Sequence, residues 1–447
     1  MVNQSKFYFS LQLKQIITFI LISFQFISAE EFNLESSLKY ALKNNTDIKL
    51  SKNSSKIAKA ESNQARSLAM PKISGFISSR HNFSLPSQEI DFAGQTQTIV
   101  FGQDNSTNVG LNFEQVLFEG RVFSALRSAK IYNNISKISE SFAKAQIIEK
   151  TKKAFYFCLL SKQSYLVIEK SYQRAINNYN STKALFDKGN KREFDVIQAE
   201  SLVAKRKTDM ISAEKTLQIS KENLKKLIGY PLDGVLDVIG FLDIKDIIDI
   251  EFEVIKEQMI KNQPLIIQTK YNLDLMKENV RYTHSQFLPG VYINGSYGIS
   301  QNYNNGNYST ENFNLNTYIG VSISLPIFDF ANFASLDKAR AEYSKTKYNK
   351  IDLEQKLVLE LKNLFLTYNE TKQKIISAQK QLELAIKGQS ASEKLFNRGM
   401  ITQIESEAAE LALLQAELQL EQVKFEYLIT IASLERSIGA ELKNKYE

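Results

Sequence analysis

Residues able to do bond-making chemistry are few and scattered in this chain. His81 and His284 are its two histidines and Cys158 its single cysteine. His81 falls in an alternating stretch and His284 at the end of a helical one. Neither stands at the spacing of a metal site, a nucleophile elbow or a triad, and no phosphate-cradling loop follows a strand. Both histidines read as surface residues. Cys158 sits inside a helical run, offers no disulfide framework, and reads as a small buried apolar group. The chain therefore reads as a non-enzyme with no metal and no cofactor. What recurs instead is a pair of short stretches, Leu185-Phe186-Asp187-Lys188-Gly189 and Leu395-Phe396-Asn397-Arg398-Gly399. A glycine just past a basic residue is a helix stop, because it enters the left-handed region without a Cβ clash. Each copy reads as the bend of a long helical hairpin.

The elements that position these bends are duplicated too. Gly110 and Gly320 are 210 residues apart, as are Phe118 and Phe328, Ala129 and Ala339, and Ile228-Gly229 and Ile438-Gly439. Upstream the offset becomes 218, pairing Lys43-Asn44 with Lys261-Asn262 and Pro71 with Pro289. One loop between Pro71 and Gly110 is thus longer in the first copy. The expected organisation is a first repeat over residues 30–240 and a second over 241–447.

Residues 1–29 carry Lys6 and Lys14, an apolar run from Ile16 to Ile27, then Ser28-Ala29. That is the layout of a secretory signal, and the run is too short to span ~30 Å of hydrocarbon. Removing it lowers the formal charge from +7 to +5. The remaining basic residues alternate with glutamates along helix faces, so no concentrated stripe argues for nucleic acid. With 6 Pro, 17 Gly and no Trp in 447 residues, the composition favours long uninterrupted helices.

Residues 33–44 read as a short amphipathic helix, and a second helix from about Asp47 to Ser67 must end before Pro71. Periodicity then switches to two. Ile73, Gly75, Ile77 and Leu85 alternate with Lys72, Ser74, Ser78 and Ser84, and after a polar loop from Pro86 to Ser106 the alternation resumes with Val109, Leu111 and Phe113. This predicts a strand hairpin over 72–118. A second, over 290–328, sets Val291, Ile293, Ile299, Ile319, Val321 and Ile323 against Asn294, Ser296, Ser300, Ser322 and Ser324. The apolar face could pack on a protein core or face lipid. Four strands cannot close around a channel, so a lipid-facing unit must close with other copies of the chain.

Each hairpin leads into a long helix, about 125–187 and 335–397, a rod of roughly 95 Å at 1.5 Å per residue. Shorter helices follow, giving helical hairpins over 125–228 and 335–438. Ile404, Leu411, Leu418 and Phe425 recur every seven residues, as do Ile197, Ala204 and Ile211. Such heptads specify coiled-coil packing, either within one chain or between chains. Residues 230–255 break the pattern and link the halves.

In this order, the duplicated Lys-Asn-(Asn/Gln) helix ends, Met70-Pro71 and Leu288-Pro289, Leu325-Pro326-Ile327-Phe328, the Lys/Arg-Gly turns and the Ile-Gly closures resemble the TolC-type outer-membrane factor family. The likeness covers essentially the whole chain after the signal. It implies an α+β membrane protein: a homotrimer with one 12-stranded β-barrel, four strands per chain, continued by a long α-helical periplasmic barrel. It also implies an exit duct in the outer membrane, embedded in its lipid and extending into the periplasm. That duct would serve a tripartite efflux pump or type I secretion system. The implied partners are a periplasmic adaptor (membrane fusion) protein and an inner-membrane transporter of RND or ABC type.

The same resemblance places Lys188, Gly189, Asn190, Arg398, Gly399 and Met400 at an adaptor-docking tip. Asp195 and Glu405, each six residues past its glycine, would form acidic rings under threefold symmetry, constricting a cation-selecting bore. Phe396 belongs to that aperture as well. Here the chain departs from the family pattern. Phe396 stands in place of a tyrosine and Ile401 in place of an arginine, while Ala408 replaces a second bore carboxylate. A gate at this tip must use other contacts, for which Lys191 and Arg192 are the nearby cations.

Overall fold

The computed structural model describes residues 30–92, 94–244, 249–304 and 313–442. The signal expected over residues 1–29 lies outside them. In chain order the elements are β1 (Glu30–Phe32), α1 (Leu34–Asn44), α2 (Thr46–Ser67), β2 (Lys72–His81), β3 (Ser87–Phe92), β4 (Gln95–Val100), β5 (Asn105–Phe118), α3 (Gly120–Asp187) and α4 (Glu193–Ile228). There follow β6 (Leu236–Val238), α5 (Phe252–Asn262), α6 (Pro264–His284), β7 (Gly290–Tyr303), β8 (Asn314–Ser324), α7 (Phe330–Asn397) and α8 (Gln403–Ile438). α3 and α7 hold 68 residues each, and α4 and α8 hold 36 each. The ends of these four helices repeat at the 210-residue offset.

Both long helices start five residues before the positions read from periodicity. At α7 a side-chain cap accounts for it: Asp329 Oδ1 accepts from the Ala331 backbone N–H at 2.9 Å, satisfying a first-turn donor. The helix starts there, ahead of its apolar stripe.

The described residues divide into two compact units, and each draws on both sequence halves. One unit takes in the chain up to Ser51, Ser141–Gln263, and from Gln355 onward; the other holds Lys52–Glu140 and Pro264–Glu354.

The second unit carries an antiparallel sheet in the order β2-β5-β7-β8. Its register sets Ile73, Phe113, Gly295 and Ile319 in one row and Ile77, Val109, Ile299 and Leu315 in another. The rows between them hold Ser74, Asn112, Ser296 and Tyr318, and Ser78, Asn108, Ser300 and Asn314. One face is therefore apolar and the other rich in hydroxyls and amides. The apolar face is bare: Ile77 is 80% exposed and Ile319 79%. On the polar face a Cβ at Gly110 would lie 2.9 Å from Gly298 Cα and 3.0 Å from a Phe76 ring carbon, so the pair of glycines makes room for that ring.

Two strand boundaries differ from the sequence reading. Within the expected polar loop from Pro86 to Ser106, β3 and β4 form a ribbon, turning at Gly94 with φ +80°. The Thr-Ile-Val content of Gln95–Val100 suits an extended chain despite its polarity. β8 stops at Ser324 because Pro326 has no N–H to continue a ladder.

In the first unit β1 pairs in parallel with β6, Phe32 opposite Val238. Around this ribbon Ile147, Phe155, Cys158 and Leu159 of α3, and Leu224 and Ile228 of α4, form a buried core. The ribbon's second strand, β6, lies in the stretch 230–255 read as a linker, and three residues are too few to show alternation. The duplicated helix ends meet here. Gly229, at φ +78°, closes to where a Cβ would be 2.8 Å from the Asn44 carbonyl oxygen; Gly439, at φ +68°, does the same to Asn262 at 2.7 Å. Asn45 Nδ2 donates to the Leu227 carbonyl at 2.6 Å, and Gln263 Nε2 to that of Ser437 at 2.9 Å. Carbonyls left free at two helix C-termini thereby find donors.

Candidate functional site

The two tip turns are built alike. Gly189 N donates to Phe186 O at 2.7 Å and Asn190 N to Leu185 O at 2.9 Å; Gly399 N donates to Phe396 O and Met400 N to Leu395 O, both at 2.9 Å. With φ of +77° and +73°, both glycines close the preceding helix in the left-handed conformation. Lys188, Gly189, Asn190, Arg398, Gly399 and Met400 are all exposed. These six residues form two exposed knuckles.

The two carboxylates past the turns cap the next helix. Glu405 Oε2 accepts from the Thr402 backbone N–H at 2.7 Å and from its hydroxyl at 2.8 Å, while Thr402 Oγ1 accepts from the Glu405 N–H. Asp195 Oδ2 accepts from the Arg192 N–H at 3.2 Å, and its other oxygen meets that guanidinium at 3.3 Å. The Thr402 N–H and hydroxyl hold the Glu405 carboxyl below its ordinary pKa. Burial would raise Asp195, but hydrogen bonds from Arg192 and the charges of Arg192 and Lys191 outweigh it and leave the carboxyl lowered. Glu405 is exposed and Asp195 buried. Thr402-Gln403-Ile404-Glu405 has the spacing of a capping box.

Phe396 is 5% exposed, whereas Phe186, its counterpart in the first half, is 39% exposed. The Lys191 ammonium lies 4.3 Å from the Phe396 ring centroid. The repeat is thus asymmetric at its tip. Of the two nearby cations, Arg192 serves Asp195 and Lys191 serves Phe396.

Farther along the helices, Glu410 is buried between Ser171 Oγ at 3.2 Å and Arg174 Nε at 3.7 Å. Burial pushes its carboxyl up, and Arg174, Ser171 and Arg206 pull it only partly back. Within the same unit a cavity of about 1240 Å³ is lined by Gln415, Leu418, Gln419 and Gln422 of α8, together with residues of α3, α4 and α7. Among the described residues no cluster of three His, Cys, Asp or Glu is placed to hold a metal ion. No described helix is long and apolar enough to cross a membrane.

The heptads sort into inner and outer stripes. On α8 the buried positions are Leu413, Leu420, Tyr427 and Leu434, with Tyr427 stacked on Tyr368 of α7 at 5.4 Å between centroids. Ile404 (62% exposed) and Leu411 (40%) of the expected seam lie outside it. A spacing of seven fixes a stripe's period, and the aromatic Tyr427 shows which stripe is buried within the chain. Ile197, Ala204 and Ile211 on α4 are likewise exposed.

A family model described as outer membrane efflux protein matches residues 38–230 and 256–440. The chain belongs to the outer membrane efflux protein family. It is 25% identical over 342 residues to the outer membrane protein TolC of Vibrio cholerae serotype O1, covering 74% of this chain and 76% of that one. To TolC of Escherichia coli K12 it is 23% identical over 361 residues, covering 75% and 70%. In fold it is similar to the Campylobacter jejuni CmeC outer membrane channel, with a TM-score of 0.78 at 18% identity, covering 93% and 87% of the two chains. The open state of the Neisseria gonorrhoeae MtrE outer membrane channel gives 0.75 at 19%, covering 93% and 90%. This family member is accordingly an outer-membrane protein with the channel fold, its sheet the membrane part and its long helices the periplasmic part.

Proposed function

We propose that three copies of this chain close into the exit duct of a tripartite efflux pump or a type I secretion system. The duct is a passive conduit, met at its tip by a periplasmic adaptor and powered by an inner-membrane transporter of RND or ABC type. The observation that carries this reading is the four-stranded sheet. Its apolar face is exposed in one chain, and its outer strands β2 and β8 have no further strand among the described residues. In hydrocarbon an open strand edge leaves several kcal/mol of unmet hydrogen bonding per group, so β2 of one copy must join β8 of the next. The exposed α4 stripe then has a neighbour to cover it.

In that assembly the polar rows line the lumen, and the knuckles around Gly189 and Gly399 face the adaptor. Glu405 is the exposed carboxylate available to a bore, keeping its cap while three copies converge, and Asp195 supports the adjoining turn. Phe396 and Lys191 hold the aperture from the side.

Cysteine placed at Ile319 or at Ser322, whose side chains lie on opposite faces, tests the reading in outer-membrane fractions. A lipid-soluble thiol reagent should label I319C preferentially, and a water-soluble one S322C. Unheated samples should migrate as trimers on denaturing gels. A monomer with both positions equally open to water would refute the proposal.

A further inference from the structure

We infer that a basic cavity at the foot of the lipid-facing sheet binds the phosphate of an anionic phospholipid. The cavity measures about 410 Å³ and lies wholly within the second unit. Arg127, Arg281, Arg340 and His284 line it with Ser124 and Ser285, and its lining holds no acidic residue. The carboxylates that meet these arginines stand at its margins. Glu278, buried and outside the lining, takes Arg127 Nε at 2.7 Å and one nitrogen of Arg281, and Asp337 meets Arg340 Nη1 at 3.4 Å. A guanidinium carries five N–H donors, so each arginine retains donors beyond these pairs, and a planar fork suits a phosphate oxygen pair.

The apolar part of the cavity points to a lipid. Phe118, Phe123, Leu288 and Leu336 share the lining with the arginines. A register shift between Val116 and Phe118 turns Phe118 onto the face of Val291, which pairs with Ile323 in the exposed apolar row. The cavity is thereby continuous with the surface that meets acyl chains. Phe333 packs against Phe287 at 4.9 Å and Phe328 at 6.4 Å between ring centroids, and Phe328 and Phe333 are both exposed. Aromatic residues at the headgroup level, with basic side chains just beyond, are what a membrane–water boundary selects. Gly120 is the floor: a Cβ there would lie 2.7 Å from Ser285 Cβ, so α3 can start close against the end of α6.

This inference rests on the lipid-facing reading of the sheet. Its test uses the purified full-length assembly in nanodiscs with equal phosphatidylglycerol and phosphatidylcholine, followed by transfer to detergent and quantification of retained lipid. Wild type should retain phosphatidylglycerol preferentially. Arg340→Gln and Arg281→Gln, both at exposed side chains, should each reduce that preference about tenfold, as loss of a charge-assisted hydrogen bond implies. Arg340→Lys should restore part of it. Equal retention of both lipids by a wild-type trimer overturns the inference and leaves the channel reading standing. Failure to form a trimer overturns both. Inorganic phosphate displacing the lipid at equal concentration would show a free-anion site and also overturn the lipid assignment.

Discussion

The Lys191 ammonium lies 4.3 Å from the centroid of the Phe396 ring, tying the first tip turn to the second. An ammonium over a benzene face is worth about 0.5–1 kcal/mol where water still reaches it. Half of this contact is buried, since Phe396 is 5% exposed. In the proposed trimer three such contacts would act together on one aperture.

Lys191→Ala and Phe396→Leu should therefore loosen the tip without unfolding the helices. Each is expected to raise the open fraction of single channels in planar bilayers by roughly two- to fivefold per contact. Lys191→Arg, which keeps the cation over the ring, should behave as wild type. If the arginine variant opens as far as the alanine one, the contact is not what holds the aperture.

Glycines with the same φ differ in what surrounds them. Gly229 and Gly439 sit against Asn44 and Asn262 backbone, whereas nothing lies within 4 Å of a Cβ at Gly189 or Gly399. An alanine at the tip glycines meets only the left-handed backbone penalty of about 1–2 kcal/mol. At Gly229 or Gly439 it also drives a Cβ into a carbonyl oxygen, so Gly229→Ala should lower the thermal midpoint well beyond Gly189→Ala. Circular dichroism melts of the two variants decide it, and equal midpoints would count against the packing account.

That contrast marks how far the sequence could be read. The 210-residue offset located the helix ends because glycine at a helix stop has a local cause, its positive φ. The alternation over β7 and β8 was legible for a local reason too, since successive side chains of a strand point to opposite faces, one apolar and one polar. What stayed hidden depended on nonlocal partners: the β1–β6 ribbon, three residues a strand, and the α8 stripe that turns inward through Tyr427 against Tyr368. At the tip, Asp195 and Glu405 were visible as matched acids, but their first partners are the N–H groups of Arg192 and Thr402. Thr402 was legible three residues ahead of Glu405, and the Lys191–Phe396 pairing was not, because it joins residues from different turns.

Cys158 is fully buried in the core around β1 and β6, and burial pushes its thiol up to about 11. At pH 8 the folded protein should react negligibly with a disulfide reagent, since the thiolate is the nucleophile. Denaturant should release one equivalent per chain. The folded value exceeds the unfolded one, so the neutral thiol favours the fold below the unfolded pKa. This contribution fades as pH climbs from there towards about 11. Rapid labelling of the native protein at pH 8 would contradict the placement.

Glu410 supplies the pH-dependent prediction. Its carboxyl is raised chiefly by burial, and its closest cation, Arg174 Nε, stands at 3.7 Å, outside hydrogen-bond distance. Arg174 reaches Glu417 as well, and Arg206 reaches Asp209, so neither arginine depends on Glu410 alone. A carboxyl whose folded pKa exceeds its unfolded one stabilises the protein when protonated and loses that stabilisation as pH rises through the folded value. Glu410→Gln keeps an acceptor for Ser171 while removing the charge. It should raise the thermal midpoint at pH 8 by a few degrees, about 1 kcal/mol for an incompletely compensated buried charge. The gain should vanish at acid pH, where wild-type Glu410 is itself neutral in both states. Melts of both proteins from pH 4 to pH 8 measure this directly, and a variant less stable at pH 8 would show that the Arg174 pairing outweighs the burial.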